Sequence, residues 1–347
     1  MWSEELDVEG LKVPVFHLTR DEEVLVFSDV HFGLRFNGRE LSLHEELAEF
    51  LESVLEGGEH PRLVVLLGDI FELWSASLRD VFSDAFDSLR LLSRLDSTIV
   101  FVPGNHDRVT TRLHLESLRG GGGFVIAPEI VLLDIDGKKV LLFHGHQLDG
   151  LFLAVKGLWK LQSYVYIFSE SLMSLPGPLE WVFAAVAATT VLLLMVLIQA
   201  TSLLMEAAIA LSALILLSPM VILLWRKAQD KIWYGFVQPL ASRLLKSRLR
   251  GKSLQSLAVS KPLRRLIGFL ESFPSVGKLD LVVFGHTHVP EYLAEGGRLI
   301  LNTGSWVRSN SSTGVDNKTY VRIKNGKVML AKWEGSEIKI FEASLVQ

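Results

Sequence analysis

Val24-Leu25-Val26-Phe27-Ser28-Asp29-Val30-His31 begins as a wholly apolar run and ends, within four residues, in a carboxylate and an imidazole. Four consecutive apolar residues suit a strand buried on both faces. Such a strand cannot bury an ionisable group, so Asp29 and His31 belong where it leaves the sheet. The arrangement recurs four times. Leu63–Leu67 precedes Gly68-Asp69, and Ile99–Val102 precedes Gly104-Asn105-His106-Asp107. Val140–Phe143 precedes His144-Gly145-His146, and Leu281–Phe284 precedes Gly285-His286-Thr287-His288. Open α/β sheets place their sites at strand ends. Five such ends on one sheet edge would gather carboxylates, imidazoles and an amide. Hard oxygens with borderline nitrogens suit a pair of divalent cations.

Between these runs the period changes. Leu43, Leu47, Phe50, Leu51, Val54 and Leu55 recur at helical spacing over Leu43–Glu56, and Val81, Phe82, Phe86, Leu89 and Leu92 do so over Val81–Leu95. Asp136-Gly137 and Asn325-Gly326 each lie between strand-like runs and read as hairpin turns. The pattern predicts a mixed α/β domain, with parallel βαβ units first and antiparallel strands toward the C-terminal end.

The chain has 347 residues, net charge −4 and no cysteine. Disulfides, thiolate metal sites and a cysteine nucleophile are excluded, and no global basic field points to nucleic acid. The acidic start, Met1-Trp2-Ser3-Glu4-Glu5-Leu6-Asp7, does not read as a secretory signal. The mean hydropathy, +0.33, is high because of one segment. Trp181–Ile198 and Ala207–Trp225 are uncharged runs of 18 and 19 residues, joined by Gln199–Glu206. Each approaches the ~20 residues that span a bilayer, so the pair reads as a membrane hairpin.

Lys156, Lys160, Arg226, Lys227 and Lys231 flank the hairpin, and the connection has no basic residue. The flanks and the catalytic body are therefore expected on the cytoplasmic side of a cell membrane, with the connection outside. From Lys231 to Leu270 there are nine basic residues and no acidic one, interleaved with Trp233, Phe236, Leu240 and Leu244. Residues 151–173 mirror this with Phe152, Leu158, Trp159, Tyr164 and Phe168. Both stretches read as amphipathic helices against anionic headgroups. The expected division is 1–150 and 274–347 for the catalytic body, 151–180 for a cap helix, 181–225 for the hairpin, and 226–273 for basic juxtamembrane helices.

The five blocks, present and in order, resemble the calcineurin-like metallophosphoesterase superfamily over roughly residues 22–150 and 275–310. The resemblance implies a sandwich of two mixed β-sheets flanked by helices, with the hairpin inserted into it. It implies that Asp29, His31 and His288 hold one metal, that Asp69 bridges, and that Asn105, His144 and His286 hold the second. Two cations held close together need a shared anionic ligand, which a carboxylate supplies. Mn²⁺ is the first expectation for the pair, with Fe²⁺, Zn²⁺ or Co²⁺ as alternatives. His106 is expected over the metals, hydrogen-bonding the phosphate or protonating the leaving oxygen, with Asp107 orienting its ring. His146 competes with His144 for the ligand role. The resemblance favours His144 and leaves His146 behind it or on the substrate side. Arg35, Asn37 and Lys252 are candidates for gripping a phosphate.

Gly68-Asp69-Ile70-Phe71-Glu72-Leu73-Trp74 is similar, more narrowly, to a block of the UDP-2,3-diacylglucosamine pyrophosphohydrolases, and Gly251-Lys252-Ser253-Leu254 to a basic stretch of the same enzymes. Those are peripheral membrane enzymes that split a nucleotide diphospholipid. Two residues depart from that pattern: His106 stands where many of them have Arg, and His146 follows Gly145 where they have Asp. Asn302-Thr303-Gly304-Ser305 reads as a structural turn beside the metals, with Ser305 a candidate for substrate contact.

The expectation is a membrane-anchored hydrolase of a phosphate ester or pyrophosphate in a lipid-linked or nucleotide-lipid substrate, with membrane lipids as partners and no nucleic acid. The alternatives are the same chemistry on a soluble phosphodiester, and a non-catalytic membrane scaffold with this fold.

Overall fold

The structure, a computed structural model, describes residues 4–8, 11–36, 39–73, 76, 78–107, 113–116, 122–148, 177–199, 201–232, 253–254, 261–308 and 316–345. The chain divides into two compact units, Met1–Leu153 with Arg248–Gln347, and Ala154–Ser247.

In the first unit, Val24–Phe27, Leu63–Leu67, Thr98–Val102 and Gly123–Ile126 pair in parallel at the middle of an eight-stranded sheet. Antiparallel strands flank them: Thr319–Lys324, Lys327–Trp333 and Glu337–Ser344 on one side, Leu113–Glu116 on the other. A seven-stranded sheet runs in the order Glu4–Val8, Leu11–Leu18, Ile130–Ile135, Lys138–Phe143, Leu281–Phe284, Arg298–Asn302, Glu291–Glu295. Both sheets are mixed. The expectation of parallel pairs first and antiparallel pairs last holds in the eight-stranded sheet and not in the other: there Glu4–Val8 and Leu11–Leu18 are antiparallel, and Leu281–Phe284 pairs in parallel with both neighbours.

The period of two explains why these strands are apolar throughout. Val24, Val26, Leu63, Val65, Val140, Leu142, Leu281 and Val283 form one core between the sheets. Their alternates turn outward under helices. Leu25, Phe27, Val64 and Leu66 lie with Leu47, Phe50, Leu51 and Val54 of His44–Glu56 and Val81 and Ala85 of Leu78–Leu92. Leu141, Phe143, Val282 and Phe284 lie with Leu263, Ile267 and Leu270 of Lys261–Glu271. Each such buried side chain contributes roughly 1.5–3 kcal/mol. Lys261–Glu271 was expected among the juxtamembrane helices. Its apolar stripe is instead spent on the seven-stranded sheet, leaving Arg264 and Arg265 exposed.

Two turns follow their sequence signals. Asp136 and Gly137 take φ of 48° and 84° between antiparallel strands, and Asn325 and Gly326 take 53° and 68°. Both residues of such a turn need φ > 0.

The second unit is described by two packed helices, Gly177–Leu197 and Ser202–Ile232. The turn between them falls nearer the first helix than the uncharged runs implied. Glu206 ends an apolar run but is tolerated in a helix, so the second helix starts at Ser202 and continues past Trp225. Ser202–Val221 is long and apolar enough to cross a membrane; Trp181–Leu197 is apolar but shorter. Little of Ser202–Val221 is buried, about 17% of its most apolar part. The residues buried between the helices are small: Ala184, Ala188, Ala208 and Ser212. Ser212 donates its hydroxyl to the Ala188 carbonyl at 3.3 Å. Residues 151–176 and 233–252, where amphipathic helices were expected, lie outside the described residues.

Candidate metal centre

The motif residues do not share one sheet edge, as the sequence suggested. Asp29, Asp69, Asn105 and His106 follow strands of the eight-stranded sheet, whereas His144, His286 and His288 follow strands of the seven-stranded one. The sheets are stacked, so both sets of strand ends open at one end of the sandwich. The loops are stitched together by backbone bonds. Asp29 N–H reaches the Gly68 carbonyl at 3.0 Å, His31 N–H that of Asp69 at 2.9 Å, and Gly285 N–H that of His144 at 2.8 Å.

Five of these residues hold left-handed backbone: Asp29 (φ 53°), His31 (50°), Asp69 (51°), His286 (68°) and His288 (61°). Non-glycine residues rarely adopt it, and the strain persists only where surrounding contacts impose it. Close approach is enforced from behind. A Cβ at Gly104 would fall on the carboxylate and amide nitrogen of Asp69, and one at Gly68 on the ring of His144.

Ligand-type atoms of Asp29, His31 and His288 lie within 4.8 Å of one another, as do those of Asp69, His144 and His286. His31, Asp69 and His106 form a third such group. Asp29, His31, Asp69 and His144 are buried. Second hydrogen bonds fix the rings. His144 Nδ1 donates to the Leu67 carbonyl at 2.9 Å, so Nε2 faces Asp69 Oδ2 at 3.3 Å. His31 Nδ1 donates to Glu72 Oε2 at 2.9 Å, leaving Nε2 free of that bond. Among the described residues, Asp29 Oδ1, His31 Nε2 and Asn105 Oδ1 are buried without a hydrogen-bond partner. Orphaned acceptors are costly in a protein interior, and divalent cations would satisfy these.

The electrostatics agree. Burial alone would raise the Asp29 and Asp69 carboxyls. Instead His288 and His144 hold Asp29, and His144, His106 and His31 hold Asp69, well below the usual carboxylate range. His144 is pushed up to about 10: burial opposes its charge, but Asp69 and Asp29 outweigh it. A site so rich in negative charge calls for cations.

Asp107 does not orient His106. Its carboxylate is buried and accepts backbone N–H bonds from Asp69 (3.1 Å), Ile70 (2.6 Å), Phe71 (3.1 Å) and Gly104 (2.6 Å). It clamps the Asp69 loop to the Asn105 loop. Glu72, quoted in the sequence motif but given no role, holds the ring instead: its Oε1 accepts from His106 Nδ1 at 2.9 Å while Oε2 takes His31. Burial would raise the Glu72 carboxyl, but His106 and His31 hold it well below the usual range. Only the fold could show that one carboxylate serves two imidazoles 41 and 34 residues away.

His146 is buried, with its ring 5.5 Å from that of His144, and joins none of the clusters found among the described residues. The Arg35 guanidinium is engaged by Asp84 at 3.0 Å and Glu40 at 3.2 Å, so the structure does not present it as a free phosphate grip. Asn37 and Lys252 lie outside the described residues.

A family model described as calcineurin-like phosphoesterase matches residues 23–186. The chain is similar to a UDP-2,3-diacylglucosamine hydrolase of Shewanella sp. (strain MR-7), 26% identical over 138 residues, or 38% of this chain and 53% of that protein. It is 30% identical over 101 residues to the enzyme of that name from Chromohalobacter salexigens, covering 28% of this chain and 39% of the other. The chain spans about half the length of the curated relatives it matches first. Among solved structures it is similar to Yfce, a phosphoesterase from E. coli, at 13% identity and TM-score 0.38, covering 93% of this chain and all of that one. The Zn-complexed Vps29 of Entamoeba histolytica matches at 14% identity, TM-score 0.38, 93% and 99% coverage. The motif order and the gathered clusters agree with that match, so residues 23–186 are similar to the calcineurin-like phosphoesterase family.

Proposed function

We propose that this chain is a membrane-anchored, dinuclear-metal hydrolase of a phosphate ester or pyrophosphate bond, acting at the cytoplasmic face on a lipid-linked or nucleotide-lipid substrate. One observation carries the chemistry: two ligand groups, Asp29/His31/His288 and Asp69/His144/His286, gathered from two sheets, each with two buried members and one partly exposed histidine. Asp69 is the bridging carboxylate in this reading, and Asn105 offers its orphaned Oδ1 to the second site. Two divalent cations, Mn²⁺ first, would supply a water nucleophile near neutral pH and offset the phosphoryl charge. His106, half-buried and held through Nδ1 by Glu72, would hydrogen-bond the phosphate or protonate the leaving oxygen through Nε2 when the ring carries a second proton there. His146 is assigned a supporting place behind His144.

The membrane part rests on the helix pair. Large apolar side chains such as Leu194, Leu197, Leu203, Leu214 and Leu217 are exposed, and small ones face inward. That inversion suits lipid, where helices associate through close-packed small residues and interhelical hydrogen bonds. Basic flanks and an uncharged turn support the cytoplasmic orientation. In this division 1–150 and 274–347 form the catalytic body, 181–225 the anchor, and 151–180 with the first part of 226–273 the bilayer-facing surface. The substrate class is suggested by the diacylglucosamine hydrolases it resembles.

The test uses the full chain in detergent with Mn²⁺, offered a nucleotide diphospholipid and, separately, a soluble phosphodiester. Lipid turnover abolished by chelation and restored by Mn²⁺ is the expected result. Turnover of the soluble ester alone would remove the lipid part. No metal-dependent turnover of either would remove the enzymatic reading.

A further inference from the structure

The turn Asn302-Thr303-Gly304-Ser305, read from sequence as a structural element, reaches the first metal group through hydroxyls. Ser28 Oγ donates to Asp29 Oδ2, and Ser28 Oγ and Thr303 Oγ1 lie 2.6 Å apart. A serine hydroxyl carries one proton. With that proton on Asp29, Thr303 is the donor of the Ser28–Thr303 contact, whose 2.6 Å is far shorter than the alternative from the Thr303 hydroxyl to the Phe284 carbonyl at 3.4 Å. The chain of donors therefore has a fixed direction: Thr303 to Ser28 to Asp29. Thr303 is itself pinned, its N–H on the Phe284 carbonyl at 2.9 Å and its own carbonyl taken by the Thr319 hydroxyl at 2.6 Å. All three relay residues are buried with no exposed surface. Asp29 Oδ2 also accepts the His286 N–H at 2.9 Å. Room for the relay exists because residue 285 is glycine: a Cβ there would fall on Ser28 Oγ and Asp29 Oδ2.

The consequence is that one oxygen of Asp29 is saturated while the other is not. Oδ2 takes two donors. Oδ1 takes no backbone or hydroxyl donor among the described residues and faces only the His288 ring, whose Nε2 stands 3.1 Å from it. We propose that Ser28 and Thr303 are positioning residues that hold the Asp29 carboxylate so that Oδ1 alone is presented to a divalent cation beside His31 and His288. The proposal rests on the metal reading above. Partners of ligating carboxylates typically change metal affinity 10–100-fold when removed.

The experiment is Mn²⁺ titration of the full-length, metal-stripped chain in detergent by calorimetry, with circular dichroism and melting of the stripped protein alongside. Ser28→Ala is expected to weaken one of two Mn²⁺ sites about tenfold or more and to leave the other within about twofold. Thr303→Val should weaken the same site by less, and Thr303→Ser, which keeps the hydroxyl, should restore it. A merely structural role would instead lower the melting temperature of the stripped chain and affect both sites alike, and that result overturns the proposal. Unchanged affinity at both sites in Ser28→Ala also overturns it. If Ser28→Ala does not fold, the comparison of Thr303→Val with Thr303→Ser decides: equal affinities overturn the proposal. A wild-type chain that takes up no Mn²⁺ overturns the metal reading itself, a distinct outcome.

Discussion

Replacing Glu72 by Gln tests the site most directly, because that carboxylate is shared. Its two oxygens accept from His31 Nδ1 and His106 Nδ1, each at 2.9 Å, and the residue is 1% exposed. As an acceptor only, Glu72 forces both rings to carry their proton on Nδ1 and to present Nε2 elsewhere. Gln keeps the size but offers one acceptor and one donor. One imidazole must then accept at Nδ1 and carry its only proton on Nε2, which removes that nitrogen as a metal ligand and stops the ring from passing that proton on while Nδ1 stays bare. Loss of such a supporting partner costs about 10–100-fold, or roughly 1.4–2.8 kcal/mol. The readouts separate the two rings. Weaker Mn²⁺ binding by calorimetry reports His31, and a lower kcat at saturating Mn²⁺ reports His106. We expect at least one to fall tenfold. If both stay within about twofold of wild type in a folded Glu72→Gln variant, the assignment of tautomers through Glu72 is wrong.

Three further outcomes follow from particular contacts. Gly104→Ala drives a Cβ into the Asp69 carboxylate and backbone, which cannot swing away; a destabilisation of about 1–3 kcal/mol in denaturant melts and impaired Mn²⁺ uptake are expected. The Glu59 carboxyl, which burial would raise, is held below its ordinary 4.5 by Arg322 and Lys324. A lowered carboxyl stabilises the fold above its unfolded value and loses that contribution as pH falls through its folded value. The melting temperature of Glu59→Gln should therefore trail wild type at pH 7 and converge with it well below pH 4.5. Ala188, 2% exposed, lies in the seam that Ser212 also occupies, and Ala188→Leu places a bulky side chain there. It should loosen the helix pair in detergent by about 1–3 kcal/mol, whereas an exposed neighbour such as Leu194→Ala should have little effect.

Much of the fold was legible because it depends on local pattern. Apolar runs buried on both faces, the helical period of Leu43–Glu56, and the Asp-Gly and Asn-Gly turns each follow from nearest-neighbour physics. The assignment of strands to sheets was not legible. A four-residue apolar run carries no label for its partner, so Leu281–Phe284 could not be told apart from a neighbour of Leu63–Leu67. The packing of Lys261–Glu271 was hidden for a related reason: an amphipathic stripe can lie on a sheet as well as on a bilayer, and here it lies on a sheet.

Taken alone, the amino-acid order determined which chemistry was available. It placed carboxylates, imidazoles and an amide after buried strands, excluded thiols, and supplied an apolar helix pair. Tertiary structure decided who holds whom. Asp107, adjacent to His106 in sequence, turns to four backbone amides, while Glu72 spans the two imidazoles and Ser28 links Asp29 to Thr303. Those choices depend on left-handed turns at Asp29, His31 and Asp69 that aim each side chain. Such conformations exist only because the packed loops from two sheets impose them.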